Sequence, residues 1–364
     1  MRNSFAGGRS TRRIATAAAA AVVAIAATGC GSASDSGSSS AGASAGPKSG
    51  EQVVIGFEQP LGGQPWREMG LATLQALAKQ PQYKDKIELK IVRTQDNDPA
   101  QQAAAMRNLI SQDVDAIMFD PASPTGANPV IAQAKAKGIP VVANGGPVAS
   151  KDAYVVSTDW VKAGETGAKW LAENMKGGKN VVVLEGFKGV PINEDAMPVV
   201  RKTLEAGGAK IIAQDTNGWD EATAQKNMAN LLRSNPDIDG VYSFLAGGQG
   251  VPEAFKQAGR DFVPTVGGSG YNGEGCTVKK YMADGLTADL VSGQPAIYAK
   301  GLEQTVKLLE GEKIEREQYF EPLELQTEDA AKRCLADKPP LFAIGYEFPG
   351  LDLPLQATLA EYKG

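Results

Sequence analysis

Short apolar runs rich in β-branched residues alternate with segments of helical spacing from residue 52 to residue 310, and the alternation restarts once midway. No feature of the chain constrains its fold more. The first block opens on the strand Val53-Val54-Ile55-Gly56-Phe57 and a Pro/Gly-rich loop. Helical spacing follows over 66–79, then a strand over 87–92, a helix over 100–112 and a strand over 116–119. A helix over 128–137 and strands over 140–143 and 154–157 complete the block. The second block predicts helices over 163–175, 196–206 (opening near Pro198), 220–234, 252–258, 278–284 and 297–310. Its strands fall at 180–184, 209–214, 240–244, 262–266 and 288–291. Strands apolar on both faces, joined by helices, predict parallel sheets with right-handed crossovers. The expected fold is α/β, with two doubly wound parallel-sheet lobes. Ligands of such sheets sit beyond the carboxyl ends of the strands, so a cleft between the lobes is the expected site.

The chain has no histidine among its 364 residues, which removes a Ser-His-Asp triad, an imidazole metal site and an imidazole base. Carboxylate or lysine chemistry stays open, and the balance shifts toward binding without catalysis, cofactor or metal. The formal charge is −5, and it falls to −9 once the four arginines of residues 1–29 are set aside. An acidic body of this kind repels phosphates, so nucleic acid is not an expected partner.

The first 29 residues read as an export signal. Arg9, Arg12 and Arg13 form a basic start, and the apolar stretch 14–27 is too short to span a bilayer. It ends in Ala27-Thr28-Gly29-Cys30, which resembles a bacterial lipobox and implies lipidation of Cys30. Ala27 replaces the usual leucine, and an ordinary secretory peptide is the alternative. Arg12-Arg13 also admits twin-arginine export. Residues 30–50, built mostly from Gly, Ser and Ala, predict a flexible tether. Two cysteines remain, Cys276 and Cys334; in an exported protein such a pair suggests a disulfide, with two buried thiols as the alternative.

Four ordered stretches carry a family resemblance over residues 52–320. They are Gln64-Pro65-Trp66; Asp98-Pro99 with Gln101 and 109–117; Ala134 with 138–142; and Ser157-Thr158-Asp159 with Gly164 and Gly167-Ala168. The chain resembles the type I periplasmic binding proteins of ABC sugar importers, the ribose-binding group in particular. The resemblance implies lobes that exchange strands: 51–157 with 292–320, and 158–291 with 321–364. It also implies a three-strand hinge near Ser157-Thr158, Val291-Ser292 and Glu321-Pro322.

A polyhydroxylated ligand needs aromatic faces for its C–H groups and amides or carboxylates for its hydroxyls. By position in the family pattern, Trp66 and Trp219 are the expected aromatic walls, and Gln64 and Asn144 the expected amides. Asp159, Asn193, Glu194, Ser269 and Gln294 complete the expected ligand set, and Asp159 is equally suited to cap the next helix. The arginines of the ribose pattern are missing, which argues against ribose itself. Arg67 is expected to be solvated or paired with Glu68.

The function implied is an extracytoplasmic receptor, monomeric and anchored only by its lipid, that closes on a sugar or sugar alcohol and docks on ABC permease subunits. The alternatives are a ligand-sensing lipoprotein signalling to a membrane receptor, and a binding protein for another small polar solute. A glycosidase built on Glu194 or Asp195 would need a matched pair of acids that the sequence does not present.

Overall fold

The computed structural model describes residues 52–345 and 347–363. The export signal, Cys30 and the whole of the tether lie outside them. Among the described residues no helix is long and apolar enough to cross a membrane.

The first lobe begins β1 (Val53–Gln59), α1 (Pro65–Ala78), β2 (Ile87–Arg93), α2 (Pro99–Ser111), β3 (Ala116–Phe119), α3 (Asn128–Ala136), β4 (Val141–Asn144) and β5 (Tyr154–Thr158). The chain then crosses to the second lobe. There it forms α4 (Trp160–Asn174), β6 (Asn180–Glu185), α5 (Pro191–Ala206), β7 (Lys210–Thr216), α6 (Glu221–Ser234) and β8 (Gly240–Ser243). It continues with α7 (Gly250–Gln257), β9 (Thr265–Gly267), α8 (Asn272–Tyr281) and β10 (Ala288–Ser292). It returns for α9 (Ile297–Leu309) and β11 (Glu317–Phe320), then crosses again for β12 (Leu323–Gln326), α10 (Thr327–Lys332) and α11 (Leu355–Glu361).

Each lobe holds a six-stranded sheet, ordered β11-β5-β4-β3-β1-β2 in the first and β12-β10-β9-β8-β6-β7 in the second. All pairings are parallel except the edge strand β12, which runs antiparallel to β10. Helices cover both faces, which is why the strands read as unbroken apolar runs. In β3, Ala116 and Met118 join the core under α1 and α9, while Ile117 and Phe119 join the one under α2 and α3. In β6, Val181 and Val183 face α4 and α5, and Val182 and Leu184 face α6 and α7. Four such residues in a row satisfy two cores at once.

Three expectations need correction. Helix α5 opens at Pro191 rather than near Pro198, because Pro191 suits a first helical position where no N–H partner is needed. Pro198 sits inside the helix; the carbonyl it deprives belongs to exposed Glu194, where water can serve it. Helix α8 opens at Asn272, six residues before the expected Val278. Its start is masked in sequence by Gly273 and Gly275, which are glycines because of close approach. A Cβ on Gly273 would lie 2.9 Å from the Pro340 side chain, and one on Gly275 2.6 Å from the Ala330 carbonyl.

The third correction concerns the tail. Residues 321–364 were expected in the second lobe, and β12, α10 and the Cys276–Cys334 disulfide do belong there. The chain then turns back. Ala343 bridges Tyr271, the Ile344 amide donates to the Gly270 carbonyl at 2.7 Å, and Gly345 accepts from the Ala296 amide at 3.3 Å. Phe348, Leu351 and Leu353 then enter the first lobe's core, and Lys79 of α1 pairs with Glu361 of α11 at 2.7 Å. The tail is therefore a fourth connection between lobes, beyond the three strand crossings.

Candidate functional site

The carboxyl ends of both sheets face one cleft, with about 580 Å³ of space measured out to its mouth. The loop from β1 to α1 delivers Gln64, Trp66 and Arg67; the end of β3 delivers Asp120 and Pro121. From the second lobe come Val190 and Ile192 before and within α5, Trp219 before α6, Leu245 after β8, and Ser269 and Tyr271 before α8. Trp160, Ser292 and Gly293 sit where the chain crosses between lobes.

The aromatic walls are held from behind. The Trp66 indole N–H donates to the Gly293 carbonyl at 3.0 Å, and its ring stands edge-on to Tyr298 with centroids 5.7 Å apart. The Trp66 amide donates to the Tyr271 hydroxyl at 3.3 Å, joining the lobes across the cleft. Trp219 has a left-handed backbone, φ 51°, that costs a bulky residue of order 1–3 kcal/mol. Buried Asn217 offsets that cost: its Oδ1 accepts the Trp219 amide at 2.9 Å, and its Nδ2 donates to Ser243 and Phe244 at 3.0 and 2.9 Å. The indole lies so close to Gly186 that a Cβ there would come within 2.1 Å of its nitrogen. That nitrogen is buried and donates to nothing.

The floor of the cleft carries charge. Arg67 Nη1 lies 2.9 Å from Asp120 Oδ2, and the Tyr298 hydroxyl donates to the same oxygen at 2.5 Å. Both ionic side chains are buried. Burial pushes the Asp120 carboxyl above its ordinary range, against the opposing pull of Arg67 and Tyr298. Arg67 Nε has no partner, so one buried donor remains unspent. Below them Glu58 accepts from Gln102 at 2.6 Å, and burial pushes its carboxyl up to about 7. Gln102 also donates to the Asp120 carbonyl at 2.8 Å and accepts from the Ala122 amide at 3.0 Å, fixing the loop that presents Asp120.

Two carboxyl groups brace the second lobe's loops. Glu221 accepts amides from Gly247, Gln249 and Gly250, and Glu274 accepts those of Ser269 and Tyr271. Burial, then the neighbouring Glu221 charge, pushes Glu274 well above the carboxylate range. Loops tied this way present Ser269 and Tyr271 with little freedom left to lose on binding.

Of the expected residues, Gln64, Trp66, Trp219 and Ser269 line the cleft. The Gln64 amide forms no cap to α1, whereas Ser269 Oγ already donates to the Leu245 carbonyl at 2.8 Å. The other five lie outside the lining. Asn144 is fully buried inside the first lobe, donating to the Val156 and Ile297 carbonyls at 3.1 and 3.0 Å. Asp159 caps α4 through the Lys162 amide at 2.8 Å. Asn193 and Glu194 brace the loop before α5, accepting the Gly186 and Gly189 amides at 2.9 and 2.7 Å. Gln294 precedes α9 and accepts the Ile297 amide through its carbonyl. Arg67 is buried and bound to Asp120, while Glu68 pairs with Arg93 instead.

Sequence reasoning passed over Asp120, Trp160 and Tyr271 and discounted Arg67. The signal for Asp120 was present: an acid directly after a four-residue apolar strand stands at a carboxyl end, where ligands bind. Trp160 follows the first crossing, and its indole donates to the Gly145 carbonyl at 2.7 Å. Arg67 carried no such signal, because its partner lies 53 residues away.

The chain matches a family model described as periplasmic binding protein domain over residues 55–313. A xylitol-binding protein of Mycolicibacterium smegmatis is 32% identical over 228 residues, 62% of this chain. The match spans 64% of that protein's length, just under two thirds. A ribose import binding protein of Bacillus subtilis is 26% identical over 237 residues, 64% of this chain and 75% of its own. The crystal structure of an ABC transporter solute-binding protein from Thermobispora bispora superposes with a TM-score of 0.70 at 27% identity. It covers 80% of this chain and 90% of that one.

Proposed function

This chain belongs to the periplasmic binding protein domain family, and we propose that it is the extracytoplasmic receptor of an ABC importer for a sugar alcohol or sugar. One observation carries the reading. Indole rings from both lobes, Trp66 and Trp219, wall a cleft floored by the Arg67–Asp120 pair. Aromatic faces match the C–H faces of a polyol, and a guanidinium beside a carboxylate matches vicinal hydroxyls that donate and accept. The pair is internally neutralised, which favours a neutral ligand over a sugar acid.

Gln64, Trp66, Arg67, Asp120, Trp219 and Tyr271 contact the ligand in this reading. Binding favours the closed arrangement because the ligand touches both lobes only when they approach. The ligand leaves unchanged in this reading: among the described residues Asp120 is the one acid lining the inner cleft and is already bound to Arg67, and the chain has no histidine. The closed receptor presents its lobe faces to the permease as a monomer. The lipobox-like Ala27-Thr28-Gly29-Cys30 supports anchoring to the outer face of the cytoplasmic membrane, and a Cys30→Ser chain shed into the medium is the expected consequence.

Isothermal titration with xylitol, sorbitol, myo-inositol, ribose and galactose tests the ligand class. Heat of binding for a polyol that Trp219→Ala abolishes supports the reading. Silence across all five sinks it.

A further inference from the structure

Outside the inner cleft lies a second, more open chamber of about 690 Å³, measured out into solvent, that shares Gln64, Trp219 and Tyr271 with it. The two spaces are adjacent, with those three residues bordering both. On the first lobe the outer chamber is walled by Leu61, Pro65 and Gln95; on the second by Phe187 and, from the tail, Leu341. Phe187 stands edge-on to Trp219, centroids 5.1 Å apart, yet leaves 38% of its surface exposed. Leu341 is 49% exposed. Exposed apolar side chains gathered at a cleft mouth mark a binding surface more often than chance exposure does.

The backbone is built to hold that surface. Among the described residues four non-glycine residues have left-handed φ, and three of them line these two spaces: Leu61 the outer, Leu245 the inner, and Trp219 both. Strained backbone at a ligand path is a usual place for such cost. Leu341 is held there by the tail, which Cys334 pins to α8 and Asn272 grips through the Leu335 and Lys338 carbonyls at 2.9 and 3.0 Å.

We propose that the outer chamber is a second subsite, and that the ligand is a polyol or sugar carrying a further ring, such as a disaccharide or its alditol. This rests on the polyol reading of the inner cleft. The inner chamber takes the unit gripped by Arg67 and Asp120. The outer one takes the second ring, whose apolar face lies against Phe187 and Leu341, with the Gln95 amide beside its hydroxyls.

The test is titration of matched probe pairs into the full chain: xylitol against xylobiitol, and sorbitol against isomaltitol. The extended probe of at least one pair should bind about three- to tenfold tighter than its parent, the worth of one aromatic contact. Leu341→Ala should erase that gain and leave the parent's affinity unchanged, and Phe187→Ala, which also removes the ring packed on Trp219, should weaken the extended probe more than the parent; both side chains are exposed enough to lose without unfolding. Parents that bind while extended probes bind equally or less well overturn the second subsite and leave the polyol reading standing. No binding in either pair overturns the second subsite, and silence of myo-inositol, ribose and galactose as well overturns both.

Discussion

Arg67, in the first turn of α1, and Asp120, at the end of β3, meet at 2.9 Å across 53 residues of sequence, both buried at the floor of the cleft. Each satisfies the other's charge where water cannot. Removing one partner leaves the other stranded. Asp120→Asn should therefore cost about 3–5 kcal/mol of stability, seen as a lower melting temperature. Arg67→Met should cost less, because a stranded Asp120 can take up a proton, but it should weaken polyol binding. An unchanged melt for Asp120→Asn would refute the pairing.

Asn144 and Gln64 are separable. Asn144→Ala removes two buried hydrogen bonds, to the Val156 and Ile297 carbonyls, at about 1–3 kcal/mol, and should leave ligand affinity within about twofold. Gln64→Ala should do the reverse, weakening binding about tenfold with little change in melting. Paired melts and titrations decide, and a binding defect in Asn144→Ala would return that residue to the ligand set.

Glu58 gives stability a pH dependence. Burial raises its carboxyl from 4.5 to about 7, so the folded state holds a proton that the unfolded chain has already released. Stability from this group is complete below pH 4.5 and lost as pH rises toward about 7. The loss between about pH 5 and about pH 8 is on the order of 2 kcal/mol. Glu58→Gln cannot titrate, so its melting temperature should fall less than the parent's over that interval. Parallel curves for the two proteins would count against the raised carboxyl.

The Cys276–Cys334 disulfide spans 58 residues, and a loop of that length restricts the unfolded chain by about 4 kcal/mol. Reduction, or the double change Cys276→Ser with Cys334→Ser, should lower melting markedly. It should also weaken binding, because the tail it pins bridges Tyr271 through Ala343 at the cleft. Equal melts with and without reductant would show that the packing of 340–345 suffices alone.

The architecture was legible in the sequence because it rests on local periodicity. Runs such as Ala116–Phe119 and 181–184 are apolar at every position, as strands buried on both faces require. Trp66 and Trp219 were placed by their positions in the family pattern, which short local stretches of sequence carry. Locality also misled. Asn144 follows a strand end too, yet its side chain turns inward to Gly301 and α9, which a one-dimensional pattern cannot reveal.

What the sequence by itself determined was the alternation of strand and helix, the two lobes and the missing imidazole chemistry. What only the tertiary structure decided was which polar groups face the ligand and where the tail goes. Arg67 finds Asp120, Glu221 finds three loop amides, and Phe348 finds the first lobe's core, all across long stretches of chain. The reason is physical. Periodic burial acts between residues a few positions apart, whereas the pairing of buried charges and the close approach of backbones depend on which distant segments the fold brings into contact.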